Sequence, residues 1–206
     1  MIRAYHEAKA NGARDEILVP AGCCVTNVAQ AALVGYQIRE VAIDQNGNLT
    51  LHLLKSMAGP RTAALLLSDP LTRDVFESGI LEIEKTVHEV GGLLYSDGTI
   101  LNGLLGYVKP QALGFDVVEI DLQNTFGSGC GACPLAVSDR LRDFLPTPVV
   151  TFEKGSYFWI SESGPPHTIG QLSAFMGNVG VHYLVPTFAS ACWVPRGCVA
   201  VQILPC

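Results

Sequence analysis

The first candidate for a functional site is formed by two short segments that contain polar side chains. Asp97 stands in Leu-Leu-Tyr-Ser-Asp-Gly at 93–98, and Asn124 stands in Asp-Leu-Gln-Asn-Thr-Phe at 121–126. A carboxylate at the end of one strand and a lysine just past the next would hold pyridoxal phosphate (PLP), because the carboxylate keeps the pyridinium nitrogen protonated and the lysine forms a Schiff base. The nitrogen of an amide is delocalised into its carbonyl and cannot condense with an aldehyde. The two segments therefore predict the carboxylate that would pair with the ring nitrogen, but not the lysine that would bind the cofactor covalently.

A second candidate is the Cys-x-x-Cys of Cys130 and Cys133, which could be a redox pair or half of a zinc site. A zinc site needs two further ligands, and Cys23 and Cys24 are adjacent, which is poor chelate geometry. A thioredoxin-like pair would open a helix after a strand, whereas this pair enters a predicted strand. We expect no metal site, and a thiol- or metal-binding protein that uses Cys130 and Cys133 is kept as an alternative from another functional class.

The remaining basic side chains offer no obvious substitute for the missing amine. Four lysines fall at helix or surface positions, where solvated charges are expected: Lys55, Lys85, Lys109 and Lys154. Three histidines occur on helix-like segments, and a surface position is the simplest prediction for each of them: His6, His52 and His88.

Short apolar runs alternate with amphipathic helical patterns along the chain, which predicts an α/β domain with a mostly parallel sheet flanked by helices. We predict strands at 16–20, 38–43, 62–68, 92–96, 115–120 and 132–137. We predict helices at 4–10, 26–33, 49–57 and 80–90, the last of them stopped by Gly91-Gly92. In such a sheet the working residues lie just beyond the carboxyl ends of the strands. The residues expected at that edge are Asp69, Asp97, the pair Cys23-Cys24 and the pair Gln123-Asn124.

Composition narrows the class of protein. The 206 residues are 49% hydrophobic and 16% charged with a net charge of -6, which argues against disorder and against nucleic-acid binding. The seven cysteines are odd in number and no secretion signal is visible, so a reduced, cytoplasmic protein is expected. The segment between Glu162 and Arg196 lacks Asp, Glu, Lys and Arg, but glycines and prolines interrupt it, so a membrane span is not expected.

Many ordered stretches resemble one protein family. They include Met-Ile-Arg-Ala-Tyr-His-Glu-Ala at 1–8, Phe-Glu-Ser-Gly-Ile-Leu-Glu-Ile at 76–83, Val-His-Glu-Val-Gly-Gly-Leu-Leu-Tyr-Ser-Asp-Gly at 87–98, Phe-Leu-Pro-Thr-Pro-Val-Val at 144–150 and Gly-Asn-Val-Gly at 177–180. These stretches resemble the second subunit, or C-terminal half, of glycine dehydrogenase (aminomethyl-transferring), the P-protein of the glycine cleavage system. The resemblance implies the fold-type-I architecture of PLP enzymes, glycine decarboxylation, transfer of the aminomethyl group to a lipoyl carrier protein, and an oligomer with another P-protein chain. It implies no nucleic-acid or membrane partner.

The resemblance also assigns a remnant cofactor site. Asp97 matches the aspartate that pairs with the pyridinium nitrogen. The family's Ala-His-Gly-Thr-Asn reads Cys-Cys-Val-Thr-Asn at 23–27, so the ring-stacking histidine is replaced by Cys24. Its His-Lys-Thr-Phe reads Gln-Asn-Thr-Phe at 123–126, so Asn124 occupies the lysine position and no catalytic residue is assigned. The cofactor-binding residues expected by resemblance are Asp97, Thr26, Asn27, Cys24, Asn102, Gln123 and Thr125.

We expect three regions: a large PLP-transferase-like domain at 1–148, a loop-rich extension of it at 149–183, and a divergent Cys- and Pro-rich tail at 184–206. By the resemblance, the small C-terminal domain of the family is missing and its phosphate-holding N-terminal segment lies upstream of Met1. The first hypothesis is a P-protein-like large domain that has lost catalysis. The alternative is a glycine dehydrogenase subunit that is active or is complemented by a partner chain.

Overall fold

The computed structural model describes residues 1–9, 14–23, 25–68, 76–98, 106–122, 125, 133, 135–160 and 165–171. Among them, six strands form one sheet in the order β2-β1-β3-β4-β5-β6, and β6 alone in that sheet runs antiparallel to its neighbour. These strands are β1 (Glu16–Pro20), β2 (Gln37–Val41), β3 (Thr62–Ser68), β4 (Leu93–Gly98), β5 (Val117–Ile120) and β6 (Leu135–Val137). The mostly parallel sheet that the alternating pattern predicted is confirmed.

Helices cover the sheet between these strands. They are α1 (Ile2–Ala8), α2 (Val25–Leu33), α3 (Leu51–Met57) and α4 (Ile80–Glu89), with 3₁₀ helices at Pro110–Leu113 and Asp139–Phe144. The bounds of β1 and β3 agree with the prediction, while α1 begins earlier than predicted and β5 begins later. No helix in the described part of the chain is both long and apolar enough to cross a bilayer.

The two faces of the sheet belong to separate hydrophobic clusters. In β4 and β5, Leu94 and Val118 pack with the buried side chains of α3 and α4, whereas Leu93 and Val117 pack with residues of α1, α2 and the second 3₁₀ helix. Consecutive apolar residues are therefore buried on both faces, as expected for strands covered by helices on each side. Because side chains alternate between the two faces along each strand, this pattern also decides which of them can contact one another.

Arg14 fastens the end of α4 to the sheet. Its Nη1 donates to the backbone oxygen of Thr62 and its Nη2 donates to that of Val90, each at 2.6 Å. Gly91 follows with φ of 78° and Gly92 donates its N–H to the oxygen of Val87, so the predicted stop at these glycines is confirmed. A Cβ at Gly91 would lie 2.7 Å from Arg14 Nη2, so the glycine also makes room for the guanidinium.

The end of β4 differs from the prediction. We expected the strand to stop at Ser96, with Asp97 and Gly98 in the turn beyond it. Instead Asp97 pairs with Ser68 of β3 and with Glu119 of β5, and Gly98 pairs with Ile120. A Cβ on Gly98 would overlap the backbone oxygen of Glu119, so glycine is what lets the strand continue this close to β5. Asp97 is therefore held by strand pairing on both sides.

A separate antiparallel hairpin follows the sheet. It is formed by β7 (Val149–Glu153) and β8 (Ser156–Ile160), and it carries exposed aromatic residues, among them Phe152 and Tyr157. The prediction of loops with short strands after 148 agrees with this hairpin. The division into regions at 148 and 183 stays a prediction.

Candidate functional site

Asp97 lies at the carboxyl edge of the sheet, on the face covered by α2. Its side chain shares that face with Leu93 and Tyr95 of the same strand, because every second residue of a strand points the same way. The residue is only 5% exposed. A buried carboxylate needs hydrogen-bond donors, since its transfer from water is otherwise costly.

One such donor is Asn27 of α2. Its Nδ2 donates to Asp97 Oδ2 at 2.6 Å, and Asn27 is itself 8% exposed. Asn27 and Ala31 are the buried residues of α2 and are separated by one helical turn, so the amide belongs to the stripe that the helix presents to the sheet. The structure thus joins two of the residues that the sequence assigned to the remnant site.

Two threonines of the predicted set have different environments. Thr26 is exposed in the first turn of α2. Thr125 is 6% exposed in a helical turn after β5, where its N–H donates to the oxygen of Asp121. Its buried Oγ1 has no hydrogen-bond partner within the described residues. An orphaned buried hydroxyl is uncommon in a folded protein, and it marks Thr125 as a donor or acceptor that a bound group could satisfy.

A second polar cluster, which sequence reasoning missed, adjoins Asp97. Glu119 lies opposite Asp97 on β5 and accepts hydrogen bonds from the hydroxyl of Tyr95 and, at 3.0 Å, from the thiol of Cys133. Burial, followed by the hydrogen bond to Glu119, raises the pKa of Tyr95 far above its ordinary value, and the charge of Asp97 adds to the effect. The tyrosine therefore stays protonated and donates. The signal in the sequence was a charge inside the apolar run Val-Val-Glu-Ile, since a charge there requires a partner.

The contact of Cys133 bears on the thiol or metal alternative. A thiol that donates to a carboxylate is protonated, whereas a metal ligand or redox nucleophile is a thiolate. Among the described residues, no three His, Cys, Asp or Glu side chains are grouped so that they could hold a metal ion. Cys130 lies outside the described residues, so the pair itself stays a prediction.

The surface position predicted for His6 is wrong, and His88 is only partly exposed. His6 is 2% exposed because α1 packs it against β3, where its Nε2 donates to the oxygen of Ala63 at 2.8 Å. Burial lowers the pKa of His6, so the ring is neutral. His52 is exposed, as predicted.

His88 joins α4 to the start of β5, at the edge of the sheet opposite Asp97. Its Nδ1 lies 2.5 Å from Glu84 Oε1 and its Nε2 lies 2.7 Å from Asp116 Oδ2. Ionised carboxylates only accept, so a protonated ring, in which both nitrogens donate, satisfies both contacts. The bond to Asp116 is the main reason that the pKa of His88 is raised. Asp116 also accepts from Ser138 Oγ, so the carboxylate lies between the histidine and the serine. In a Ser-His-Asp triad the histidine has that central place, so this trio is not arranged as an activated nucleophile.

Every lysine of the chain lies in a described segment and is exposed: Lys9, Lys55, Lys85, Lys109 and Lys154. The expectation of solvated positions is thus confirmed for the four predicted ones. Several residues of the predicted site fall outside the described residues: Cys24, Asn102, Gln123 and Asn124, together with Asp69.

Relatives of known family match most of the chain. A probable glycine dehydrogenase (decarboxylating) subunit 2 from Nitrosospira multiformis is 48% identical in an alignment of 186 residues that covers 88% of this chain. The corresponding proteins of Methylococcus capsulatus and Coxiella burnetii are 50% and 45% identical over the same share. Over these residues the chain belongs to the family of glycine dehydrogenase (decarboxylating) subunit 2. No protein-family model matches the chain.

The chain spans only part of these family members. The aligned residues are 37% of the Nitrosospira multiformis protein and 38% of the other two. More than half of the length of each of these relatives therefore lies outside the alignment.

Solved structures show the fold of the family. Glycine decarboxylase (P-protein) of the glycine cleavage system, in inhibitor-bound form, superposes with a TM-score of 0.64 at 17% identity, over 92% of this chain and 45% of that one. A sphingosine-1-phosphate lyase of Burkholderia pseudomallei superposes with a TM-score of 0.65 at 15% identity, over 95% and 45% of the two chains. The fold is the fold-type-I architecture of PLP-dependent enzymes, as the resemblance implied.

The described residues fit one end of a PLP molecule. Asp97 supplies a buried carboxylate, with an oriented oxygen, where a protonated ring nitrogen needs its partner. Thr125 supplies a hydroxyl that lacks a partner within the described residues. Binding and orientation of the ring are thus within reach of these residues.

Proposed function

We propose that this chain is a P-protein-type large domain that binds PLP, or its amine form pyridoxamine phosphate, at Asp97 without a covalent bond. We further propose that it does not decarboxylate glycine unaided. The observation that carries the proposal is the buried Asp97 carboxylate at the carboxyl edge of the sheet, oriented by Asn27 at 2.6 Å.

Asp97 supports the binding half of the proposal. A carboxylate in a site of low polarity attracts a pyridinium N–H more strongly than it would in water. When bound, PLP supplies an electron sink for the carbon that loses a substituent. The part of this chain is to hold the ring nitrogen and to orient the ring against the sheet.

The lysines support the non-catalytic half. Covalent catalysis by PLP begins from a lysine whose amine lies beside the cofactor. The family position of that lysine is Asn124, and the lysines of this chain are exposed. Without an anchoring amine, the cofactor would be retained by contacts alone and exchange freely with solvent.

The partners follow from the family and are also proposals. We propose an association with a second P-protein chain, as the resemblance to the family implies. A lipoyl carrier protein would bind only to a complex that still transfers the aminomethyl group.

The test is to map covalent adducts after borohydride reduction. The purified chain and Asp97→Asn are each mixed with an equimolar amount of PLP, reduced, digested and analysed by mass spectrometry. Exposed lysines react weakly with any aldehyde, so the variant defines the background. The Asp97→Asn substitution keeps an oxygen that can accept from Asn27 but removes the charge.

We expect the same faint lysine adducts in both proteins, together with a PLP absorbance change that gel filtration reverses in the wild type. A lysine adduct that is abundant in the wild type and lost in Asp97→Asn would contradict non-covalent binding. Glycine-dependent carbon dioxide exchange by the purified chain would contradict the proposed lack of activity. Exchange that requires an added glycine dehydrogenase subunit would instead support the partner-completed alternative.

A further inference from the structure

The contact between Asn27 and Asp97 has a defined polarity. The amide Nδ2 is the donor and the carboxylate Oδ2 is the acceptor. An ionised carboxylate has about four lone-pair sites, so the contact with one amide N–H is compatible with further donors on the same carboxylate.

The amide is held by a rigid element. Asn27 lies on the buried stripe of α2 with Ala31, and the partly buried Val28 packs into the cluster beneath. Asp97 is paired in register with both neighbouring strands. Both partners are thus placed by packed secondary structure, which is what a preorganised site requires.

The contact joins a neutral amide donor to a carboxylate in the protein interior. A hydrogen bond to an ionised group is shorter and roughly twice as strong as one between neutral groups. At 2.6 Å between buried atoms, this bond would be costly to break when a ligand binds. A ligand that donates to the carboxylate in its present orientation avoids that cost.

We propose that Asn27 is a positioning residue of the cofactor site: it holds Asp97 so that the carboxylate can accept from a protonated ring nitrogen of the ligand. This inference rests on the proposed function and assigns Asn27 a part in it. The predicted ligand class is a phosphorylated pyridine with a protonatable ring nitrogen, and Asn27 acts only through Asp97.

The test compares pyridoxamine 5′-phosphate with its 1-deaza analogue, in which carbon replaces the ring nitrogen. Neither ligand has an aldehyde, so the exposed lysines do not interfere. Binding is measured by calorimetry with the wild type, with Asn27→Leu, and with Gln30→Ala as the matched control on an exposed position of the same helix. Asn27→Ala repeats the comparison if the leucine variant does not fold.

We expect Asn27→Leu to weaken pyridoxamine 5′-phosphate by about tenfold, the effect of one charge-assisted hydrogen bond, and to leave the deaza analogue unchanged. Gln30→Ala should change neither affinity. In an Asp97→Asn background, Asn27→Leu should have no further effect on the natural ligand.

An equal loss for both ligands would show that Asn27 merely supports the fold and would overturn the inference, as would no loss for either. In both of these cases the wild type still binds, so the proposed function stands. Failure of the wild type to bind either ligand would overturn the proposed function and the inference together.

Discussion

Asn27 of α2 and Asp97 of β4 meet through one buried hydrogen bond of 2.6 Å, although 70 residues separate them in the sequence. The two partners are placed by the packing of α2 against the sheet and by the pairing of β4 with β3 and β5. The orientation of the Asp97 carboxylate therefore depends on packed secondary structure.

Introducing the lysine alone should allow covalent attachment of PLP but little glycine decarboxylation. We predict that Asn124→Lys forms an abundant borohydride-trapped adduct on the introduced lysine, because Asp97 still attracts the ring. Glycine-dependent carbon dioxide exchange should stay near background, since the resemblance implies that Cys24 and Gln123 stand at two positions where the family motif has histidine. Asn124→Gln is the control and should form no such adduct. Substantial exchange by the lysine variant would show that the other two replacements are tolerated.

The glycine after Asp97 should be intolerant of any side chain. We predict that Gly98→Ala lowers the free energy of unfolding by about 1–3 kcal/mol, because the new Cβ overlaps the backbone oxygen of Glu119 and forces β4 from β5. Gly59→Ala is the matched control, because a Cβ there meets nothing within 4 Å. Urea denaturation measures both. Equal stability of the two variants would mean that β4 and β5 do not approach as described.

Arg14 should stabilise the fold through its two carbonyl contacts. We predict that Arg14→Leu lowers the free energy of unfolding by about 1–3 kcal/mol, because the oxygens of Thr62 and Val90 lose their donors. The exposed Arg142→Leu should change it by less than about 0.5 kcal/mol. Thermal and urea unfolding provide the comparison. An Arg142→Leu effect as large as that of Arg14→Leu would point to lost charge rather than lost hydrogen bonds.

The cluster around His88 should make stability depend on pH. The bond to Asp116 raises the pKa of His88 above its ordinary 6.5, so its contribution is complete below that value and is lost as pH rises through the folded pKa. Burial alone would raise the pKa of Asp116, but the hydrogen bonds from His88 and Leu94 outweigh it. The pKa is therefore lowered, and that contribution is lost as pH falls below 3.8. Stabilisation by the cluster should be greatest between these two values.

We predict that the stability difference between the wild type and His88→Gln is larger at pH 5.5 than at pH 8.5, as measured by urea denaturation. His52→Gln, at an exposed position, is the control for the loss of a surface histidine. His6 titrates in the opposite sense, but it is present in all three proteins and cancels from the differences. A His88→Gln difference that is constant across this range would contradict the imidazolium.

Zinc analysis tests the alternative based on Cys130 and Cys133. We predict that protein purified without chelator carries no stoichiometric zinc and unfolds at the same urea concentration with and without reductant, because Cys133 donates to Glu119. Stoichiometric zinc, or a loss of stability in reductant, would favour the thiol or metal function.

The sequence predicted those features that depend on local pattern. Apolar runs with clear ends located β1 and β3, and the glycines at 91 and 92 located the end of α4. It placed Asp97 at the correct edge of the sheet. It did not predict that the strand would continue through Gly98, because an Asp-Gly pair is typical of a turn and only the neighbouring β5 shows why glycine is required there.

Features that depend on packing between distant segments could not be predicted in this way. The burial of His6 is decided by β3, whose Ala63 oxygen accepts from the ring. His88 has a visible partner four residues earlier in Glu84, but its second partner, Asp116, becomes a neighbour only when β5 joins the sheet. The contact between Asn27 and Asp97 likewise depends on the rotation of α2 above the sheet, which one sequence does not fix.

The most direct test of the account is a calorimetric titration of the wild type and of Asp97→Asn with pyridoxamine 5′-phosphate. We predict that the wild type binds and that the variant binds at least about tenfold more weakly, because a single charge-assisted hydrogen bond to the ring is lost. Equal affinities, or no binding by the wild type, would contradict a cofactor site at Asp97.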